Sequence, residues 1–380
     1  MNQSLAWRDV SMSVALATVL FLLGAVFSVL APQFLTARNL SMLIIEFAIT
    51  SVLALGMLLV LLPGHVDLSA GSGVGLIGGI AAVLVMRFSW PAPLALAASL
   101  GIALLLWRAQ GALIIGQGIP AFIITLGGLL VGKGLFWLVI RSTTVPIVTG
   151  GGENLFSLLT TYYLPRGPSL ALSAAVAGSL GLLSLRGHAA DRAAGLDSDG
   201  ELRFLLWLVA SQALFVLVLI CGEFRGLPLP AILLGLVAVA THVLLQHTRF
   251  GRYLYAIGGN EEAAVLSGVP VRRIVVGAFT LLGGIVALTG FLQTAYAGAS
   301  TTTVGELMEL DAVAACVIGG ASLRGGRGTV PGVLLGSLIM ATLLNGLSLL
   351  AVPPEARFIA RGVVLAIAAW LDVRLAARPR

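Results

Sequence analysis

Residues 40–62 read LSMLIIEFAITSVLALGMLLVLL, a run in which Glu46 is the single charged residue. An α-helix rises about 1.5 Å per residue, so about 20 apolar residues cross the roughly 30 Å hydrocarbon layer of a bilayer. The run is long enough to span. It is not isolated, because comparable apolar stretches recur along nearly the whole chain. Reading hydropathy alone places candidate spans at 13–31, 40–62, 71–86, 92–107, 119–140, 168–185, 204–221, 228–246, 274–292, 311–321, 330–351 and 357–373. The fold class is therefore all-α, a polytopic membrane protein with ten to twelve transmembrane helices read as one domain over residues 1–380.

Composition agrees. Of 380 residues, 58% are apolar and 10% charged, with a mean hydropathy of +1.05, whereas a soluble domain carries about 25% charged residues. Too little polar sequence remains for a separate soluble catalytic domain. The run from Val14 to Ala31 is long for a signal-peptide core and ends at Pro32, so it reads as an uncleaved first span. Cys221 and Cys316 have no CxxC spacing and read as packing residues. The four histidines show no metal-site spacing.

Two segments are too short to be ordinary spans. Asp311–Ala321 is far below crossing length, and the stretch after Gly71 is short and glycine-rich. Broken or re-entrant helices are expected there, since irregular backbone at membrane depth is tolerated only against protein or a water-filled cavity. If every segment crosses once from an inner N-terminus, 14 basic residues fall inside and six outside, with Lys133 and Arg361 in apolar segments. That split follows the positive-inside rule and puts both termini in the cytoplasm, with inside loops at 186–203 and 247–273 and an outside loop at 141–167. The net charge of +6 then reflects cytoplasmic loops rather than a nucleic-acid partner.

The loop 249–270, RFGRYLYAIGGNEEAAVLSGVP, contains a short capped helix. Asn260 suits an N-cap, Glu261 and Glu262 place negative charge on the first turn, and Gly268 suits a left-handed C-cap. So short a helix is not stable alone in water and needs a surface to dock against; a solvated surface turn is the alternative. Asp67, in GHVDLSAGSG at 64–73, would cost about 2.5–3.5 kcal/mol facing lipid at mid-membrane. It reads as a hinge or path lining together with Ser69, Gly71 and Ser72, or as the N-cap of the following span; the two are compatible.

Four motifs in chain order carry a family resemblance: GHVDLSAGSG, IPAFIITLGGLLVGKGL at 119–135, GRYLYAIGGNEEAAVLSGV in the inner loop, and ELDAVAACVIGGASLRGGRGTVPGVLLG at 309–336. Together they resemble the permease subunits of sugar-uptake ABC transporters of the ribose and xylose class. TTVPIV at 143–148 and GHAADRAAGLDSDGELR at 187–203 resemble the xylose branch; His65, Ala70, Arg324 and Arg327 depart from the pattern. The resemblance implies a non-enzymatic homodimer in a bacterial inner membrane, importing a monosaccharide, D-xylose first. It implies a cytoplasmic ABC ATPase, a periplasmic sugar-binding protein, surrounding membrane lipid and no cofactor of its own. It assigns ATPase coupling to Arg249, Gly251, Arg252, Gly258, Asn260, Glu261, Glu262, Ala263, Ala264 and Gly268.

The nucleotide look-alikes fail on inspection. GGLLVGKG at 127–134 has Gly134 where a P-loop needs Ser or Thr, and GVGLIG at 73–78 follows no strand, so these glycines read as close helix packing. Among polar residues at membrane depth, Thr125, Gln293 and Asn345 suit a path for a neutral polyol better than the charges do, an interhelical hydrogen bond being the alternative for each. Glu46 and Arg361 are candidates to pair. A secondary transporter using Glu46 and Asp67 to bind a coupling ion is the alternative function; a lipid-modifying enzyme lacks any acidic pair or histidine cluster.

Overall fold

The computed structural model describes residues 3–148, 152–193 and 200–376. Residues 149–151 of the 141–167 loop, 194–199 of the 186–203 loop, and the two extreme ends of the chain lie outside the described residues. The chain begins with α1 (Gln3–Leu30) and turns at Thr36, whose hydroxyl accepts the Asn39 N–H and caps α2 (Ala37–Leu61). α2 is apolar all round, as expected of a helix enclosed by other helices, and from Leu43 onward it is buried among α9, α12, α13 and α14.

Next come α3 (Ala70–Met86), α4 (Ala92–Gln117) and α5 (Ala121–Ile140), then a small cap made of β1 (Val145–Pro146), α6 (Leu155–Thr161) and β2 (Tyr163–Leu164). α7 (Arg166–Ala193) and α8 (Gly200–Gly222) form a peripheral hairpin, with Trp207 Nε1 donating to the Ala177 carbonyl. After β3 (Leu227–Pro228) follow α9 (Leu229–His247), α10 (Arg249–Gly259), α11 (Glu261–Leu266) and α12 (Val271–Ala297). β4 (Ala299–Ser300), α13 (Met308–Ile318), α14 (Val330–Leu349) and α15 (Pro354–Ala376) complete the chain.

Among the described residues seven helices are long and apolar enough to cross a membrane, and α3 and parts of α1 and α8 are shorter apolar helices. α13 and α15 occupy the two remaining segments read from hydropathy. The architecture is thus an all-α polytopic membrane protein. Several boundaries differ from expectation: α1 starts at Gln3 rather than 13, and α7 runs to Ala193, into the stretch read as the 186–203 loop. α4 continues ten residues past 107, because a helix satisfies its own backbone whether or not Arg108 and Gln110 interrupt the hydropathy, and residues 249–259 form a full helix rather than loop.

The two short antiparallel ladders, Val145 opposite Ser300 and Tyr163 opposite Pro228, lie at one end of the bundle. α10, α11 and the 322–328 loop gather at the other, where the Gly326 N–H donates to the Leu62 carbonyl. This fixes the short helices. α3 starts beside Gly128 of α5, well inside the bundle, and ends at Arg87, whose guanidinium reaches the Val139 and Ile140 carbonyls at the ladder end. α13 runs the other way and ends where Gly319 meets Gly332, next to the 322–328 loop. Both are half-helices that start at membrane depth, as expected for the two short segments.

Glycines allow the close crossings. A Cβ built on Gly290 would lie 2.6 Å from the Val74 carbonyl oxygen, and one on Gly78 2.7 Å from that of Gly290, so α3 and α12 touch backbone to backbone. Gly75 and Gly79 lie under the Phe136 ring. The glycines of GVGLIG are therefore packing residues. We expect Gly290→Val to destabilise the protein by at least about 1–3 kcal/mol, the usual cost of overpacking, in detergent thermal unfolding. Gly101→Ala, at a position with nothing within 4 Å, serves as the control and should be close to neutral.

Candidate functional site

Two regions carry the residues singled out by sequence. The first is the α10–α11 end. Thr248 caps α10 through the Gly251 N–H, and Leu254 and Ile257 anchor it in the core. Its last turn is jammed: a Cβ on Gly258 would overlap the Leu62 carbonyl oxygen, and Tyr255 Oη donates to the Gly328 carbonyl at 2.8 Å. α10 therefore grips the end of α2 and the 322–328 loop together. Asn260 ends α10 and caps α11, accepting the Ala263 N–H at 2.9 Å. Gly268, at φ +77°, closes α11, with its N–H on Val265 and the next on Ala264.

Only Ala264 of α11 is buried. Arg249, Arg252, Asn260, Glu261, Glu262, Ala263 and Gly268 are exposed, and Leu266 is 89% exposed. Val265, at 55%, is exposed beside it, so α11 presents two adjacent apolar side chains at the surface. Sequence reasoning missed α10, although Phe250, Leu254 and Ile257 already show helical spacing.

The second region is the pair of half-helix starts. Asp67 is fully buried. One carboxylate oxygen accepts the Ser69 N–H at 2.7 Å and its hydroxyl at 2.6 Å; the other accepts Trp107 Nε1 at 2.6 Å. Gln110 donates to Ser69 Oγ at 3.1 Å. Asp67 thus organises the first turn of α3 and ties it to α4. Trp107 and Gln110 are the partners that sequence reasoning did not find, since they lie at and beyond the end of the apolar run read there.

Opposite, residues 301–307 form successive turns leading into α13, with Gly305 at φ +84° and Leu307 at φ +60°. A Cβ on Gly305 would overlap the Gly71 carbonyl oxygen, and one on Gly71 would overlap the Glu309 carboxylate. The breaks before α3 and α13 thus meet. Glu309 lies against the first turn of α3, where the helix dipole favours negative charge.

Ser72 is half-buried against Gly132, and Gln293 is half-buried on α12. Thr125 is buried and donates to the Val66 carbonyl at 3.2 Å. Asn345 is buried between Asn39 and Glu46, and Glu46 also accepts Tyr296 Oη at 3.0 Å. The expected pairing of Glu46 with Arg361 does not form: Arg361 Nε lies 3.3 Å from Asp311, because α15 packs on α13. Cys221 and Cys316 are free and buried.

Beyond the end of α2, His65 stacks near Phe279 at 6.2 Å between ring centroids. Burial pushes its imidazole below the ordinary 6.5, partly opposed by the Glu261 charge.

The structure is thus a polytopic helical membrane protein with two interrupted helices that meet and a short capped surface helix at one end. The chain belongs to the family described as branched-chain amino acid transport system / permease component, whose model matches residues 39–369. It is 38% identical over 349 residues to the xylose transport system permease protein XylH of Escherichia coli (strain K12), covering 89% of this chain and 86% of that protein. Identity is 34% over 372 residues to the Haemophilus influenzae xylose transport system permease protein XylH, covering 95% of each. The ribose import permease protein RbsC of E. coli (strain K12) is 31% identical over 353 residues, covering 93% of this chain and 91% of that one. The likeness to the ribose and xylose class read from the four motifs therefore stands. No solved structure matches the chain.

Trp107→Phe leaves one oxygen of a buried carboxylate without its donor and should cost about 1–3 kcal/mol, measured by thermal unfolding beside the parental chain. A histidine with a lowered folded pKa stays neutral while the unfolded chain takes up a proton. Its contribution is present above about 6.5 and is lost as pH falls below that value. His65→Gln is accordingly expected to reduce the loss of thermal stability between about pH 8 and about pH 5.5.

Proposed function

We propose that this chain is the membrane-spanning subunit of an ATP-driven sugar importer, translocating a monosaccharide, with D-xylose as first choice. The observation that carries the reading is α11, a capped helix with Leu266 held outward on a base that grips α2 and the 322–328 loop. Such a helix suits the groove of a separate cytoplasmic ATPase, and its base leads directly to both half-helices. The XylH relatives are named as xylose permeases and the RbsC relative as a ribose permease, which supports a pentose without choosing between them.

The 14-to-6 distribution of basic residues supports placing the α10–α11 end in the cytoplasm, with both termini, and the ladder end outside. In this arrangement the protein is a homodimer in a bacterial inner membrane. A sugar-loaded periplasmic binding protein is received by the ladder end, including 141–167, and ATP closure of two ATPase subunits is transmitted through α11 and α10. Asp67, Ser69, Gly71 and Ser72 form the hinge at the first break, Gln293 borders the path, and Thr125 and Asn345 hold the helices around it. In a gradient-driven transporter Glu46 or Asp67 would bind the coupling ion, but the oxygens of both already accept hydrogen bonds from neighbouring helices.

Removing an exposed leucine that becomes buried on docking forfeits about 1.5–3 kcal/mol, roughly ten- to a hundredfold in affinity. Leu266→Asp is therefore expected to abolish co-purification of the ATPase and ATP-dependent D-xylose uptake in proteoliposomes. Unchanged ATPase capture and uptake after deletion of Glu261–Ser267 would remove the coupling assignment.

A further inference from the structure

Of the polar residues favoured for the solute path, Thr125 donates to the Val66 carbonyl in the break before α3, Asn345 is bonded to Asn39 of α2, and Gln293 is half-buried on α12. A partly exposed ion pair lies at membrane depth as well. Lys133 Nζ lies 3.3 Å from Glu306 Oε1, with both side chains 42% exposed. Lys133 lies within α5, about 18 Å from its start and about 10 Å from its end at a rise of 1.5 Å per residue. Ala121, Thr125, Gly132, Phe136 and Ile140 form the buried face of α5, packed on α3. Lys133, half-buried, lies at the edge of that face beside exposed Leu126, Leu130 and Trp137, and its ammonium lies 5.7 Å from the Trp137 ring centroid.

Glu306 belongs to the turns before α13, directly after Gly305, which rests on Gly71. The hydroxyls of Thr301 and Thr303, 3.1 Å apart, are in the same turns. Against lipid, each charge would cost about 2.5–3.5 kcal/mol, while a partly exposed ion pair returns only about 0–1 kcal/mol. The pair therefore needs water beside it. Its charges cancel, so it does not concentrate ions as a ring of like charges does. Besides the bond it makes to Glu306, the ammonium has two further N–H donors beside the carboxylate acceptors, next to an aromatic face, the set that a neutral polyol can use.

We infer that Lys133 and Glu306, with the Trp137 ring, form a solute-contacting constriction that links α5 to the second break. The inference rests on the sugar-importer reading. A passing monosaccharide exchanges hydroxyl hydrogen bonds with the ammonium and carboxylate and lays its C–H face on Trp137.

The test uses the full complex, with ATPase and binding protein, in proteoliposomes. Lys133→Cys and Glu306→Cys are treated with a charged, membrane-impermeant methanethiosulfonate. The parental chain, whose two cysteines are buried, sets the background. Both positions are expected to react, at rates slowed severalfold by saturating D-xylose under ATP turnover. Lys133→Gln and Glu306→Gln should each lower uptake at least severalfold while still capturing the ATPase, and the exchange Lys133→Glu with Glu306→Lys should recover more uptake than either half alone.

Reaction only with a lipid-soluble maleimide, marking a lipid face, overturns the inference. So does reaction with neither reagent, marking a face covered by a second copy, or reaction without sugar protection. These results overturn the constriction alone when the parental complex still imports sugar. If the parental complex imports no monosaccharide, the importer reading fails and the solute assignment falls with it.

Discussion

Inside a hydrocarbon layer no water is present to satisfy a backbone N–H or C=O, so every such group has to find its partner in the protein. Continuous helices meet this requirement by themselves. The structure is most constrained where two helices, α3 and α13, begin at membrane depth and expose the unpaired N–H groups of their first turns. At α3 the Asp67 carboxylate takes the Ser69 N–H and is itself held by Trp107. At α13 the turns from Thr301 to Leu307 feed their own carbonyls to the following N–H groups. Each break is stable because its surroundings are built around it.

Small residues make that enclosure possible. The α3–α12 crossing, the seating of Gly305 on α3 and the contact of Gly258 with Leu62 are all places where a methyl group would meet backbone. Backbone is the least compliant neighbour available, so these contacts set the distances between α3, α12, α13 and the α10 base more firmly than any side-chain packing. By contrast, α7 and α8 pack mainly on each other and reach the rest through a small cluster of Ile44, Val218, Cys221 and Leu227.

Much of this is legible in the order of residues alone. Hydrophobic runs locate the helices because the membrane demands length and apolarity, and the Asp-Leu-Ser-Ala-Gly stretch that begins at Asp67 points to a break or a cap because its polar and helix-weakening residues interrupt the apolar pattern. Asn260 and Gly268 mark α11 because capping is local chemistry. What the order of residues hides depends on contacts distant along the chain. Trp107 and Gln110 gain meaning only when α4 is placed against Asp67. Arg361 pairs with Asp311 rather than Glu46 because of how α15 lies on α13. Lys133 resembles any other charge in an apolar segment until its partner Glu306 is known.

The route from the surface to the breaks is short and stiff. α11 shares Asn260 with α10 as cap and terminus. α10 closes on Leu62 through Gly258, and the Leu62 carbonyl also takes the Gly326 N–H. From Leu62 the chain runs only about eight residues to the first turn of α3, and from Gly326 it runs back about as far to the end of α13. One carbonyl thus lies between α10 and the segments that lead to α3 and from α13. A displacement of α10 has to carry these segments with it or break the Gly326–Leu62 hydrogen bond, and at a glycine contact of this tightness there is no side chain to deform instead. A displacement of α10 thus meets backbone rather than side chain on its way to the start of α3 and the end of α13.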